Sequence, residues 1–574
     1  MSKKFLIIGI VVLLTAAIVG GTIGGATRKS ASAATSSAKK VTAADQIEED
    51  YQAAMTLVAN NYAGDIDYEK ATQASIQGML STLDPHSMFF SRAEFTKLKE
   101  DQDSRFYGIG VSILQHRDGV YVQSTVEGTP AARAGIRYGD RIVEVDGKDA
   151  REWTSDQVSK AVRGPRGESV QLKIERAGSA VPLYFTIVRD SVPLPSISGA
   201  FMIRPGIGYI GLTRGFQHTS GDELRDAIAR LKKEGMRQII LDLRNNPGGL
   251  LDQAIEVSSE FLSRGQTIVS VRGREYDQPI VYKSTGDEPE ELPLVVLINR
   301  NTASASEIVS GAIQDYGRGL IVGETSFGKG LVQRLYQLPF GTGLTLTTAH
   351  YYTPYGRLIQ RDYSNGSIYD YYFARRREDE GSAVKSQPQQ PHSPTQVTES
   401  PAVIPQPTPH PPTGPAVKTA GGRVFYGGGG ITPDIEVKPL TPTPLRAALA
   451  EAAFYFTREL AAGQISGLEN YRVEKTEWGK TLHPTDYPIT DRVVEAFRNY
   501  LKNNPANALQ PAQIDSELDF VKLRLRSEIA TAAYGSDAGA RVLVENDPQT
   551  ARAVEALPDA KRLAEAMHGG ASQG

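Results

Sequence analysis

The sequence predicts an α+β multidomain protein, and three observations carry this prediction. A chain of 574 residues is too long for one hydrophobic core, since domains typically hold about 100–200 residues. Short alternating apolar runs, separated by glycines, fill the stretch from about Phe106 to Arg189 and are typical of a small β-rich module. Beyond Val192, strand-like runs alternate with helical patterns, as in an α/β core.

The composition excludes several classes of function. Lys and Arg number 63 against 66 Asp and Glu, and this near-neutral balance argues against nucleic acid as a partner. The chain has no cysteine, which excludes cysteine proteases, thiolate zinc sites, disulfide frameworks and lipid anchors attached through a thiol. Hydrophobic residues make up 40% of the chain, so wholesale disorder is also excluded.

The N-terminal segment predicts export. Ser2-Lys3-Lys4 precede an uncharged, mostly apolar stretch from Phe5 to Ala26. Residues 1–27 therefore form either a signal peptide or a transmembrane anchor, and 28–44 a flexible tether. On either interpretation the protein leaves the cytoplasm. It is expected to be anchored in the inner membrane facing the periplasm or cell exterior, or to be released there after signal cleavage.

The rest of the chain divides into five parts by pattern. We expect a helical N-terminal region at 45–105, a β-rich module at 106–190 and an α/β core at 191–373 and 422–440. The core is interrupted by a Pro-rich insertion at 374–421, and a helical C-terminal region follows at 441–574. Within the core, apolar runs predict strands at Ile207–Leu212, Gln238–Leu243 and Leu292–Asn299, and helices at Ser220–Glu234 and Ser304–Tyr316.

The β-rich module closely resembles a bacterial-type PDZ domain. The residues that carry the resemblance are the loop Tyr107-Gly108-Ile109-Gly110 and a helix around Thr154 to Val162, with glycine turns between them. Successive backbone N–H groups of such a loop can capture a free carboxylate, while the ligand adds as a strand to the adjacent sheet edge. Val158 and Val162 either line the groove for the last side chain of the ligand or simply pack in the core.

Three polar turns follow buried strands of the core. The first ends at Gly248-Gly249, the second is Ala303-Ser304-Ala305-Ser306-Glu307, and the third runs from Gly323 to Gly330, with Gln333 beyond it. No histidine lies near these turns in the sequence, so a Ser–His–Asp triad is unsupported and a Ser–Lys pair is the natural candidate. The histidines also lack metal-ligand spacing, and we expect no metal or cofactor.

These turns, with the PDZ-like module, resemble the carboxy-terminal processing proteases, also called tail-specific proteases. The resemblance extends from Leu83-Asp84-Pro85-His86-Ser87 to the segment Gly427–Asp434. It implies a ClpP/crotonase-like protease core and a set of site residues. These are Ser304 as nucleophile, Lys329 as general base, Gln333 as the residue that orients the lysine, and an oxyanion hole made by the N–H of Ala305 and that of Gly248 or Gly249.

The proposed chemistry places a demand on the lysine. Its ordinary pKa of about 10.4 leaves it protonated at neutral pH, and burial can lower that pKa by the ~3 units that a base requires. A carboxylate that paired with the ammonium would have the opposite effect, so Glu307 should not pair with Lys329. Glu307 serves either the site or the N-terminus of its own helix.

The expected function is that of a serine endopeptidase. The resemblance implies that the PDZ module recognises the free, apolar C-terminal tail of a protein or peptide substrate, and that cleavage occurs upstream by a Ser–Lys acyl-enzyme mechanism. The alternative is a catalytically silent, membrane-tethered PDZ adaptor. Expected partners are such substrates and a membrane, through the N-terminal segment. Residues after about 441 are expected to form a homodimer or to dock a partner.

Overall fold

The computed structural model describes residues 43–362, 414–480, 482–483, 485–504 and 509–571. The predicted signal or anchor at 1–27, almost all of the predicted tether and most of the Pro-rich insertion lie outside these residues. Among the residues described, no helix combines the length and apolar composition needed to cross a bilayer. The chain divides into two units, Met1–Thr72 and Gln73–Gly574.

The described residues form α-helices and β-strands in a mixed order. The helices are α1 (Ala43–Asn61), α2 (Tyr68–Ser81), α3 (Arg92–Gln102), α4 (Pro130–Ala134), α5 (Ser155–Val162), α6 (Ser220–Lys233), α7 (Leu251–Ser259), α8 (Ala305–Tyr316), α9 (Pro444–Ala461), α10 (Asp491–Asn503), α11 (Pro511–Ser516), α12 (Leu518–Tyr534), α13 (Ser536–Glu545) and α14 (Pro548–Ala571). The strands are β1 (Met88–Phe90), β2 (Arg105–Gly108), β3 (Val111–His116), β4 (Gly119–Thr125), β5 (Arg141–Val145), β6 (Lys148–Asp149), β7 (Ser169–Glu175), β8 (Leu183–Val188), β9 (Asp190–Pro193), β10 (Ile197–Arg204), β11 (Ile207–Leu212), β12 (Gln238–Asp242), β13 (Thr267–Arg272), β14 (Ile280–Lys283), β15 (Leu294–Ile298), β16 (Leu320–Gly323), β17 (Leu331–Gln337), β18 (Gly343–Tyr352), β19 (Ala416–Lys418), β20 (Val424–Tyr426) and β21 (Ile435–Glu436).

A mostly parallel sheet forms the centre of the second unit. Its strand order is β10-β11-β12-β15-β16-β21, with only the β10–β11 pair antiparallel. Parallel strands are covered on both faces and therefore read as continuous apolar runs. All five residues of β15 are buried. Helices α6, α7 and α8 cover the face that includes Leu241 and Val296.

The opposite face of this sheet is covered by the last described helix, α14. Its residues Ala553, Ala556, Leu557 and Ala560 pack against strand residues that include Val295. The small alanine side chains let the helix approach the sheet closely. The predicted C-terminal region is therefore not wholly separate from the protease core, since its last helix supplies one layer of that core.

The PDZ module is inserted into the core with its two ends side by side. Strands β2 and β9 pair antiparallel where the chain enters and leaves the module, with Arg105 opposite Pro193. Between them lies a sheet of order β3-β4-β5-β7-β8. The module also contacts the C-terminal helices, since Tyr121 of β4 packs against Phe454 and Tyr455 of α9.

Two short strands lie inside segments for which the sequence predicted none, β1 within 45–105 and β19 within 374–421. The region 45–105 is not wholly helical, because β1 joins β18 of a second sheet, which has the order β1-β18-β13-β14 and in which β17 also pairs with β18. The Pro-rich insertion does not extend to 421, because β19 pairs antiparallel with β20. A strand of three residues carries too short a pattern to be recognised from sequence.

We expect that Leu557→Ala destabilises the protein by about 2–5 kcal/mol, because the side chain is fully buried against the central sheet. The measurement is urea unfolding of the purified chain. Glu555→Ala is the matched control, since Glu555 lies on the same helix and forms only a surface ion pair with Arg552. Equal unfolding midpoints for the two variants would contradict the packing of α14 on the sheet.

Candidate active site

Ser304 lies at the junction between β15 and α8 in a strained backbone conformation. Its φ and ψ are 56° and −115°, an unusual region for a residue with a side chain. Ser304 is partly exposed, whereas Ala305 and Glu307 are buried. A sharp turn from a buried strand into a helix thus presents one hydroxyl side chain at the surface of the core.

The Glu307 carboxylate holds the backbone on both sides of the site. Its Oε2 accepts hydrogen bonds from the N–H groups of Ser304 and Lys329, both at 2.8 Å. Its Oε1 accepts from the N–H of Gly328 at 2.7 Å and from the hydroxyl of Ser326. Burial raises the pKa of Glu307, while these hydrogen bonds act to lower it. One buried side chain therefore joins the second and third polar turns.

Lys329 is held by Gln333 and largely enclosed by protein. Its Nζ donates to Gln333 Oε1 at 2.6 Å. Burial lowers the pKa of Lys329, although the negative charges of Glu307 and Asp84 oppose this shift. Burial has the larger effect, and both carboxylates accept hydrogen bonds from backbone N–H groups. The amine is thus poised to lose its proton more readily than an ordinary lysine.

Gln333 is itself oriented by the Asp84–Ser87 turn. Its Nε2 donates to the carbonyl oxygen of His86, which turns Oε1 toward the lysine. The turn is fixed by Asp84, whose Oδ1 accepts from the N–H groups of His86 and Ser87 at 2.7 and 2.9 Å. This segment precedes the PDZ module in sequence, yet it completes the lysine pocket in space.

His86 is a site neighbour that the sequence analysis missed. Its ring lies edge-on to that of Phe327, with centroids 6.5 Å apart. Burial and the positive charges of Lys329 and Arg361 lower the pKa of His86 to about 3, so the ring is neutral at physiological pH. No histidine is close to the polar turns in the sequence, but in the folded protein His86 lies beside the third turn. The motif Leu83-Asp84-Pro85-His86-Ser87 was the one available signal.

The structure distinguishes the two glycines of the first turn. The N–H of Gly248 donates to Asn246 Oδ1 at 2.9 Å. Those of Gly249 and Ala305 donate to no acceptor among the described residues. The turn touches the serine closely: a Cβ added to Gly248 would lie 2.7 Å from Ser304 Cβ and 3.0 Å from the Ala305 nitrogen. Only glycine fits here.

The backbones of Ser304 and Lys329 meet at Glu307, but their side chains are not directly bonded to each other. In the described part of the chain, no hydrogen bond joins Ser304 Oγ to Lys329 Nζ, and the lysine donates to Gln333 instead. Catalytic hydrogen bonds are often loose in the absence of substrate and tighten when it binds. No group of three or more acidic or histidine side chains in the described ranges is arranged to hold a metal ion.

The predicted peptide-binding residues of the PDZ module lie at one edge of its sheet. Tyr107 and Gly108 end β2, and Ile109 and Gly110 lead into β3, which is an edge strand beside α5. The carbonyls of Ile109 and Gly110 accept bonds from the module, while their N–H groups donate to no described acceptor. Val158 and Val162 are 0% and 5% exposed and pack in the module core.

We expect that Glu307→Gln lowers the free energy of unfolding by about 1–3 kcal/mol for each buried donor it leaves unpaired. A glutamine amide can accept bonds at only one of the two positions and presents N–H donors at the other. Urea unfolding measures the effect, and the exposed Glu168→Gln serves as control. Unfolding midpoints that match the control would show that the carboxylate does not hold the two turns.

Comparison with known proteins finds two matching families. Peptidase family S41 matches residues 206–371, and the PDZ domain matches residues 96–175. A carboxy-terminal-processing protease of Bartonella bacilliformis is 38% identical over 307 residues, which cover 53% of this chain and 70% of the relative. The carboxy-terminal processing protease CtpB of Bacillus subtilis is 32% identical over 322 residues, which cover 56% of this chain and 66% of the relative.

Among solved structures, the photosystem II D1 C-terminal processing protease is 30% identical, with a TM-score of 0.31. The match covers 54% of this chain and 83% of that one. The similarity to the Bartonella protein spans more than two thirds of that relative, and the match to peptidase family S41 at residues 206–371 includes all three polar turns. The chain belongs to the carboxy-terminal processing proteases of peptidase family S41, which are serine-type proteases with a PDZ domain.

Proposed function

We propose that this protein is an endopeptidase that cleaves protein substrates near their C-termini with a Ser304–Lys329 pair. The observation that carries the proposal is the convergence of both residues on one oxygen. Glu307 Oε2 accepts from the N–H groups of Ser304 and Lys329, which brings a strained serine and a lysine of lowered pKa to the same point. The alternative of a silent PDZ adaptor gives no reason for this arrangement.

The reaction follows from the positions of these groups. The neutral amine of Lys329 takes the proton of Ser304 Oγ as that oxygen attacks the scissile carbonyl. The same proton then passes to the leaving amine, and an acyl-enzyme ester remains on Ser304. Water, deprotonated by Lys329, hydrolyses that ester and restores the serine. Gln333 positions the lysine without adding charge.

Two backbone N–H groups stabilise the oxyanion. The N–H groups of Ala305 and Gly249 are the donors that this structure leaves unused, whereas that of Gly248 is already bonded to Asn246. Backbone donors that are fixed before the reaction need no reorganisation in the transition state. Gly248 contributes by its lack of a side chain, which lets the turn lie against Ser304.

The PDZ domain binds the tail of the substrate. The N–H groups of Ile109 and Gly110 are free to hold its terminal carboxylate, and the open edge of β3 can take the tail as an added strand. Val158 and Val162 are buried in the core beneath this edge, and the partly exposed Val111 and Ile113 of β3 supply its apolar surface. We therefore propose an apolar, unstructured tail as the substrate.

The location of the protein is a further part of the proposal. Residues 1–27 direct export and serve as a signal peptide or an anchor in the inner membrane, so that the protease faces the periplasm or cell exterior. We also propose that the region after about 441 forms a homodimer or docks a partner. The exposed apolar side chains of α1, among them Ile47, Tyr51 and Val58, offer a second surface for homodimerisation.

The test compares a model substrate with a free apolar C-terminus and the same substrate amidated. Wild-type protein should cleave the free form, and mass spectrometry should identify a new C-terminus upstream of the tail. Ser304→Ala should abolish cleavage, whereas Lys438→Ala, at an exposed site, should not. Cleavage by Ser304→Ala would refute the nucleophile. An equal rate on the amidated substrate would refute carboxylate recognition by the PDZ domain.

We expect activity to fall as the pH is lowered through the pKa of Lys329, because only the neutral amine acts as a base. Burial lowers this pKa, so activity is present above the lowered value and is lost below it. Gln333→Glu places a carboxylate beside Nζ and should move the acid limb of the kcat/KM profile to higher pH. Each unit by which the pKa of Lys329 rises should lower kcat/KM about tenfold at a given pH on that limb. An unchanged profile in Gln333→Glu would remove Lys329 as the titrating base.

A further inference from the structure

A cavity of about 390 Å³ lies between the PDZ domain and the C-terminal helices. Residues 137–139 and 176–179 of the PDZ domain form one wall. The end of α9 and the side chains of Arg472, Val473, Lys475 and Thr476 form the other. The volume lies at the lower end of the range for small-molecule sites. The cavity is remote from the three polar turns and shares no lining residue with them.

The lining of this cavity is strongly cationic. None of the residues that line it, all of them within the described ranges, is acidic. Its cationic side chains are Arg137, Arg176, Arg458, Arg472 and Lys475. Such a concentration of one sign of charge in a concave, partly enclosed site raises the local potential and attracts anions.

Three of the five cations form ion pairs with carboxylates that do not line the cavity. Arg176 donates two bonds of 2.7 Å to the buried Asp140. Arg458 pairs with Glu459 at 3.2 Å, and Arg472 with Glu474 at 3.6 Å.

The other two cations, Arg137 and Lys475, form no ion pair with any residue that the structure describes. Burial and the positive charge of Arg176 lower the pKa of Arg137. Arg137 of the PDZ domain and Lys475 of the C-terminal region therefore line the same cavity. The carboxylates that influence them, Asp140 and Glu474 for Arg137 and Glu477 for Lys475, do so without a direct ion pair.

We propose that this cavity binds a divalent oxyanion of the phosphate class between Arg137 and Lys475. A phosphate group carries about −1.5 to −2 charges at neutral pH, which matches the two unpaired cations. Its oxygens can also accept bonds from the guanidinium groups of the lining, a geometry for which arginine is well suited. Free phosphate and the phosphate of a lipid headgroup share this chemistry.

The bound anion stabilises the contact between the PDZ domain and the C-terminal helices. Tyr138 lines the cavity and also packs edge-on against Phe454, with ring centroids 5.5 Å apart. An anion held by both walls therefore adds to the aromatic contact between the same two parts. This consequence concerns domain docking and does not depend on the proposed proteolytic reaction.

The experiment titrates the purified full chain with inorganic phosphate, with sodium chloride added to keep ionic strength constant. Thermal denaturation and calorimetry should show saturable binding that raises Tm. Arg137→Gln and Lys475→Gln should each weaken the phosphate affinity about tenfold or more, since a charge-assisted bond is lost. Lys148→Gln, at an exposed site on β6 outside the cavity, should leave it unchanged.

Hydrogen exchange supplies a readout of docking. Phosphate should slow exchange of the amides at 137–139 and 458–464 in the wild type but not in the Arg137→Gln, Lys475→Gln double variant. Arg176 is left intact, because its loss would strand the buried Asp140. Absence of saturable binding would overturn the proposal, as would equal affinity of the double variant and the wild type.

Glycerol phosphate identifies the source of the anion. Tighter binding of glycerol phosphate than of inorganic phosphate, lost in Arg137→Gln, would assign a lipid headgroup. The reverse order would assign the free anion. Binding of neither compound would overturn the site.

Discussion

The buried carboxylate of Glu307 is the interaction on which the rest of the site depends. It stands at the N-terminal end of α8, where the helix dipole favours a negative charge. Its two oxygens bind the N–H groups of Ser304, Gly328 and Lys329 and the hydroxyl of Ser326. Through these bonds, a strand-to-helix turn and a glycine-rich loop far along the chain become a single rigid unit.

The same carboxylate creates an electrostatic conflict that the fold resolves by geometry. A negative charge close to Lys329 favours the protonated amine, whereas catalysis needs the neutral one. The Glu307 carboxylate accepts hydrogen bonds from backbone N–H groups, which stabilise its negative charge. The Nζ atom of Lys329 instead donates to the neutral amide of Gln333. Burial then prevails, and the pKa of Lys329 is lowered. Burial, and not the nearby carboxylate, therefore decides the direction in which the pKa of Lys329 shifts.

The sequence predicts the helices and strands of this protein better than it predicts the contacts between them. Apolar runs located β11 and β15 and helix α8, because burial on both faces of a parallel sheet leaves a pattern that neighbouring residues alone can show. The approach of His86 to Lys329 arises from tertiary packing and leaves no local pattern. The orientation of the Gly248 N–H toward Asn246 is likewise a property of the folded turn.

The last helix, α14, shows only a weak amphipathic pattern in the sequence for a similar reason. Its contact residues Ala553, Ala556 and Ala560 are small, so their burial against the sheet produces little amphipathic signal. Local periodicity reports how apolar a face is, but it does not report which distant surface that face will cover.

The position of α14 has a consequence for the order in which the protein matures. A nascent chain that has produced Ser304, Lys329 and the whole of the parallel sheet still lacks the layer that covers one face of that sheet. Synthesis runs from the N-terminus, so this face stays exposed until residues near 560 leave the ribosome. The layered core that presents Ser304 and Lys329 is therefore complete only once α14 has been synthesised and has packed on the sheet.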